Sequence, residues 1–299
     1  MYKKILVPLD GSVTAEAVLP YAQAFAAGFN TAVELLSVID IGAMTTHLST
    51  DKVRHLDGTI ASEEKKCATY LENVAKNFPL SSTDCRIVRG TPAEIILETT
   101  HQDRDTLIAM ATHGRSGAKR WLMGSVAEKV LRSTTNPLFL VRAAAAKSSP
   151  QQIVNSIIVP LDGSPLAEKI LPTVCAWARA LDLEVTLIRA FEFPAAAYYG
   201  SETFIPDYDE MLEEARQGAA AYLKAKEDSL VREGVRTVSI LTAEGLAADE
   251  IISTAQTAPG AVIAMSTHGR SGVQRWLLGS VTEKVVRHAE DPVLVVRGG

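Results

Sequence analysis

Hydrophobic positions fall into two rhythms along this chain. Short, nearly unbroken runs of Val, Ile and Leu alternate with longer stretches where apolar residues recur every three or four positions. The first rhythm predicts strands, the second amphipathic helices. In the first half, strands are predicted at about residues 3–9, 32–39, 84–89, 106–111 and 138–142. Helices are predicted between them at about 13–28, 58–77, 92–102 and 124–134. Ala17, Tyr21, Ala24 and Phe25 make the apolar face of the first helix, and Gly28 suits the left-handed position that ends it. Pro20, and Pro172 in the second half, predict a kink rather than a break, because the periodicity runs past them. Ser164-Pro165 reads as a capping serine followed by a first-turn proline.

The pattern then repeats. Ile5-Leu6-Val7-Pro8-Leu9-Asp10-Gly11-Ser12 returns as Ile157-Ile158-Val159-Pro160-Leu161-Asp162-Gly163-Ser164, at an offset of 152. Thr112–Arg142 returns as Thr267–Arg297, at an offset of 155, with 19 of 31 positions identical. The halves are therefore duplicated domains. Residues 1–142 form the first domain, the small and polar segment 143–152 a linker, and 153–299 the second domain. The alternating order of strands and helices predicts a five-stranded, parallel, doubly wound α/β sheet in each. The first and fourth strands are apolar throughout, as strands covered on both faces should be.

Composition narrows the function. Net charge is -5 and aromatics are 6% of the chain. No basic field is available for a phosphate backbone and few rings for stacking bases, so nucleic acid is excluded as a partner. No segment approaches the roughly 20 apolar residues of a membrane span, and the first apolar run, broken by Pro8 and Asp10, is too short for a signal peptide. Cys67, Cys85 and Cys175 are odd in number and form no CxxC pair, which predicts free thiols and a cytoplasmic setting.

Candidate chemistry lies at carboxyl strand ends, where such sheets bind ligands. One segment is Pro8–Ser12. The other is Ala111-Thr112-His113-Gly114-Arg115-Ser116-Gly117, continuing to Gly124-Ser125. Glycines there permit close backbone approach, and a helix opening at Gly124-Ser125 attracts anions. Arg115, Lys119 and Arg120 can offset phosphate charge; the second half repeats this with Arg270 and Arg275, but Gln274 replaces Lys119. Neither a P-loop nor GxGxxG is present. The glycines read equally as a tight turn before a helix. Asp10 and Asp162 read either as Asx-turn residues or as partners of ribose hydroxyls or of a metal through water. His113 and His268 read as turn-stabilising or ligand-edge residues rather than catalytic bases, since no orienting partner is evident.

Together these residues resemble the universal stress protein family in a tandem form. Members that bind ATP share G-x2-G-x9-G-[ST] after the fourth strand, which here is Ala111-x2-Gly114-x9-Gly124-Ser125 and Ser266-x2-Gly269-x9-Gly279-Ser280. Ala111 and Ser266 stand where the pattern has its first glycine. The resemblance implies a Rossmann-like fold of the adenine nucleotide alpha hydrolase type. It also implies ATP, AMP or ADP as ligand, with or without Mg. Adenine and ribose contacts would come from Pro8, Asp10 and Val38, and phosphate contacts from Gly114, Gly124, Ser125 and Val126. The second set is Pro160, Asp162, Ala190, Gly269, Gly279, Ser280 and Val281, with Ala190 a looser adenine wall than Val38. The expected function is a nucleotide-binding stress regulator whose ligand sets conformation or choice of a protein partner. The alternatives are a non-nucleotide interaction module and a slow ATP hydrolase; no HIGH-like histidines mark the first strand for nucleotidyl transfer. The last strands, Leu138–Val141 and Val293–Val296, are expected to pair antiparallel as an internal pseudo-dimer, with a homodimer of whole chains as a further state. Segments 40–57 and 192–208 differ most between the halves and are expected to flank the nucleotide mouths.

Overall fold

The computed structural model describes residues 2–46, 56–78, 82–101, 103–113, 123–142, 154–192, 208–267 and 278–297. The chain divides into two compact units, one of Met1–Ile153 together with Leu294–Arg297 and one of Val154–Val293; the two sequence repeats, which meet between residues 153 and 154, are called the first and second unit. The first unit contains β1 Lys4–Pro8, α1 Val13–Glu16, α2 Leu19–Phe29, β2 Ala32–Ile39, α3 Ile41–Thr46, α4 Leu56–Ala75, β3 Thr83–Arg89, α5 Pro92–His101, β4 Thr106–Ala111, α6 Ser125–Ser133 and β5 Leu138–Val141. The second contains β6 Ser156–Pro160, a 3-10 turn at Ala167–Ile170, α7 Leu171–Leu181, β7 Glu184–Phe191, α8 Tyr208–Arg232, β8 Val238–Glu244, α9 Ala247–Gln256, β9 Ala261–Ser266, α10 Ser280–His288 and β10 Val293–Val296.

The sheet of the first unit runs β3-β2-β1-β4-β5, and that of the second β8-β7-β6-β9-β10. Pairing is parallel at β1 with β2 and β4, at β2 with β3 and at β4 with β5. It is parallel again at β6 with β7 and β9 and at β7 with β8. All six residues of β4 and of β9 are buried. Because successive strand residues face opposite ways, this means helices cover both faces. The first core is built on α2, where Phe25 meets Phe139 of β5 edge to face at 4.8 Å between ring centroids and Tyr21 lies 5.5 Å from the same ring. Trp177 on α7 is fully buried at the place that Phe25 holds in the first unit.

Two expectations about the first helices are corrected. The chain breaks into α1 and α2 rather than bending through Pro20, which stands in the first turn of α2. A proline there has no N–H to bond the carbonyl of Glu16, so the helix restarts at a position that needs no such donor. Pro172 does the same at the start of α7, after the 3-10 turn. The left-handed residue that ends α2 is Asn30, with φ of 49°, and not Gly28; Asp182, with φ of 54°, is its counterpart. The segment after β2 contains α3 rather than loop alone. The linker at 143–152 and most of 192–208 lie outside the described residues.

Candidate functional site

In each unit the chain steps outward from the first strand to two neighbours, then crosses back to the other side for the last two. The reversal lies between β1 and β4, and between β6 and β9. Loops leaving two such strands diverge and open a crevice at their carboxyl ends. A cavity of about 260 Å³ occupies that place in the first unit and one of about 250 Å³ in the second.

The first cavity brings together Pro8, Asp10, Val38, Ala111, Gly124, Ser125 and Val126. The second brings together Pro160, Asp162, Ala190, Ser266, Gly279, Ser280 and Val281. Gly114 and Gly269 lie outside the described residues, as do His268 and the basic residues between the glycines. Sequence reasoning missed the apolar walls. Leu36, Ile96 and Met110 line the first cavity, and Ile188, Ile251 and Met265 the second. Their recurrence at matching positions of the two halves was the available signal, since nothing in their chemistry marks them.

Asp10 is built into the turn. Its Oδ1 accepts from Ser12 N at 3.0 Å and from Ser12 Oγ at 2.6 Å, and Ser12 Oγ accepts from Ala15 N at 3.1 Å. Asp162 Oδ1 accepts from Ser164 N at 2.9 Å, and Ser164 Oγ from Ala167 N at 3.1 Å. The carboxylate thus fixes the serine that caps the next helical turn, the geometry of an Asx-turn feeding a cap.

The other wall is a helix start. Gly124 is the N-cap of α6 and Gly279 that of α10, both with extended backbone and no side-chain cap. Gly124 N donates to Thr112 O at 2.8 Å, and Gly279 N to Thr267 O at 2.8 Å, so the helix end is drawn against the strand end. A Cβ at Gly124 would sit 3.2 Å from Thr112 O, close enough that a side chain there displaces the carbonyl by a few tenths of an ångström. Ser125, Val126 and Ala127 line the cavity, their first-turn N–H groups have no side-chain cap, and the helix dipole adds a positive end there. This donor set fits an anionic group such as phosphate. Outside the crevice, Lys129 Nζ donates to Glu94 Oε1 at 2.8 Å and Lys284 Nζ to Asp249 Oδ2 at 2.9 Å. These exposed pairs tie α5 to α6 and α9 to α10.

The two crevices differ in polar detail. Ser266, at the first glycine position of the pattern, donates its Oγ hydrogen to Leu166 O at 2.7 Å, so its hydroxyl ties strand end to turn. Thr282 Oγ1 donates to Ser266 O at 3.0 Å; the first unit has Ala127 there. His113 Nδ1 lies 3.0 Å from Thr112 Oγ1, and its Nε2 is buried with no hydrogen-bond partner among the described residues. Burial, helped by the charge of Arg142, holds its pKa below the usual imidazole value. No group of three or more metal-ligating side chains occurs among the described residues. Among them, too, no helix is long and apolar enough to cross a membrane.

Fold and site define a tandem, doubly wound, Rossmann-like α/β protein with one crevice in each unit. The sequence profile of the universal stress protein family matches residues 1–142 and again 154–297, and the chain belongs to that family. It is 30% identical over 142 residues to a universal stress protein of Methanocaldococcus jannaschii, covering 48% of this chain and 83% of the relative. A universal stress protein of Mycobacterium tuberculosis is 25% identical over 217 residues, which is 72% of this chain and 69% of that one. The crystal structure of a universal stress protein from Archaeoglobus fulgidus superposes over the whole of both chains, with a TM-score of 0.73 at 22% identity, and so shares the tandem fold.

Proposed function

We propose that each crevice binds an adenine nucleotide, ATP or its AMP or ADP products, and that the protein is a nucleotide-responsive stress regulator. The observation that carries this reading is the convergence, in one cavity, of an uncapped helix start with an acid on the facing strand end. The phosphates lie against the N–H groups of Ser125, Val126 and Ala127, or of Ser280, Val281 and Thr282. Asp10 and Asp162 meet the ribose hydroxyls. Val38 with Leu36, and Ala190 with Ile188, form the apolar wall for adenine. Any magnesium arrives with the phosphates.

Binding rather than turnover is the role this geometry favours. A hydrolase needs a base oriented toward water. His113 is paired with the Thr112 hydroxyl, and no carboxylate orients it among the described residues. Occupancy then acts through conformation or through choice of a protein partner.

Gly124→Asp and Gly279→Asp test the reading. An aspartate puts negative charge against phosphate in a partly desolvated site, while the helix dipole tolerates it. The Cβ contact with Thr112 O predicts a stability cost of about 1 kcal/mol, within the range of ordinary point changes. Calorimetric titration should count two ATP per wild-type chain, one per single variant and none for the double variant. Unchanged binding by a folded double variant refutes the phosphate assignment.

A further inference from the structure

The second crevice continues beyond Ala190. A side cavity of about 550 Å³ shares Asp162 and Ala190 with it and extends between the end of β7 and α8, past Arg189, Phe191, Gly218 and Ala219. Apart from the backbone of its own helix, no atom among the described residues lies within 4 Å of where a Cβ on Gly218 would be. Strand register shows what is new here. Arg189 stands one residue beyond the Pro160–Ile188 pair, and the residue one beyond the matching Pro8–Leu36 pair is Ser37. The neighbouring wall residue is Val38 in the first unit and Ala190 in the second, two carbons smaller.

Arg189 holds its guanidinium 4.9 Å from the centroid of the Tyr222 ring. Tyr222 Oη donates to Glu168 Oε1 at 2.8 Å, and Lys226 Nζ lies 2.7 Å from Glu168 Oε2. Both oxygens of that acid are thus engaged. Of the carboxylates lining the cavity, Asp162 is held in its turn by Ser164 N, and Glu192 is exposed at the rim. Arg189 has no ion-pair partner among the described residues. An aromatic face positions a guanidinium without neutralising it, and its N–H donors remain suited to a phosphoryl group.

We infer that the second site takes an adenine nucleotide bearing a further phosphoryl group on its ribose, at O2′ or O3′, seated against Arg189. The inference rests on the nucleotide reading above, in which Asp162 meets the ribose hydroxyls. Asp162 is common to both cavities, so a group attached at those hydroxyls enters the side cavity there. Ala190 leaves the passage open that Val38 narrows in the first unit.

The test uses the full chain with the first site closed by Gly124→Asp. Calorimetric titrations compare AMP with adenosine 2′,5′-bisphosphate and adenosine 3′,5′-bisphosphate. One of the bisphosphates should bind at least tenfold more tightly than AMP. Arg189→Ser, which installs the residue of the first unit, should abolish that gain and leave AMP affinity unchanged. Should that variant misfold, Ala190→Val provides a second arm by narrowing the passage, and the gain should fall there too. Equal affinity for AMP and both bisphosphates, or a gain that survives in folded Arg189→Ser, overturns the inference and leaves the nucleotide reading standing. Failure of all three to bind overturns both.

Discussion

Asn136 and Asp291 hold the same place in the two copies, just before the proline that leads the last strand. Asn136 is buried, and its Nδ2 donates to Asp103 O at 2.7 Å and to Thr106 O at 3.1 Å, tying the approach to β5 to the start of β4. A carboxylate in that place has no N–H to give. Asp291 Oδ2 is buried with no hydrogen-bond partner among the described residues, and burial foremost, then the charge of Glu290, raises its pKa above the usual 3.8. An acid whose pKa is raised by folding binds its proton more tightly in the folded state, so stability falls as pH climbs from the ordinary carboxyl value through the raised one. Asp291→Asn should therefore match wild type below about pH 4 and exceed it by about 1 kcal/mol at neutral pH, the worth of a restored hydrogen bond. Denaturant unfolding of the two proteins side by side at both pH values checks this; an equal gap at both would remove the titration argument. The Asn-to-Asp difference is plain in the sequence. Its cost is not, because burial before a strand depends on the packing of a loop thirty residues away. The same holds at the crevice, where the strand-end motif picked out Asp10 and Gly124 but not Ile96, which reaches the cavity only through the docking of α5.

At the scale of elements, strand and helix order was legible because rhythm alone distinguishes the two, while helix ends were set by backbone details that rhythm does not carry. Gly28 looked like a terminator because glycine usually is one. In the structure it is an exposed interior residue of α2, and Asn30 bears the positive φ. Opposite outcomes follow from a single pair of substitutions. Gly28→Ala should stabilise the first unit by about 0.5–1 kcal/mol through lower chain entropy in the unfolded state and better helix propensity. Asn30→Ala should destabilise it by about 1 kcal/mol, since alanine resists the left-handed region. Thermal melting that showed Gly28→Ala to be the damaging change would restore Gly28 as the terminator. The prolines teach the same lesson: apolar periodicity runs past Pro20 because α2 resumes on the same face, and periodicity cannot register the missing bond between.

Across the whole molecule the repeat was the most informative feature of the sequence, since identity at matched positions locates both crevices before any geometry is known. It also separates protected strands from outer ones. β3 and β8 each stand at an end of the sheet of their unit and are largely open to solvent, unlike the buried β4 and β9. Asp84 and Arg86 place charge along β3, and Arg86 also lies 3.5 Å from Glu34. Charge on an outer strand discourages edge-to-edge pairing. Replacing both residues with valine should produce concentration-dependent self-association in light scattering, with the crevices still able to bind ligand; a monodisperse variant would show that another device guards this edge. One consequence of housing both units in one chain concerns dilution. Two crevices on separate polypeptides would be brought together by mass action and parted at low abundance. Here the backbone between β5 and β10 is continuous, so the ratio of the two sites is one to one at every expression level. A short tether sets the local concentration of one unit about the other at the order of millimolar however scarce the protein becomes. A cell holding few copies therefore keeps both crevices on every molecule.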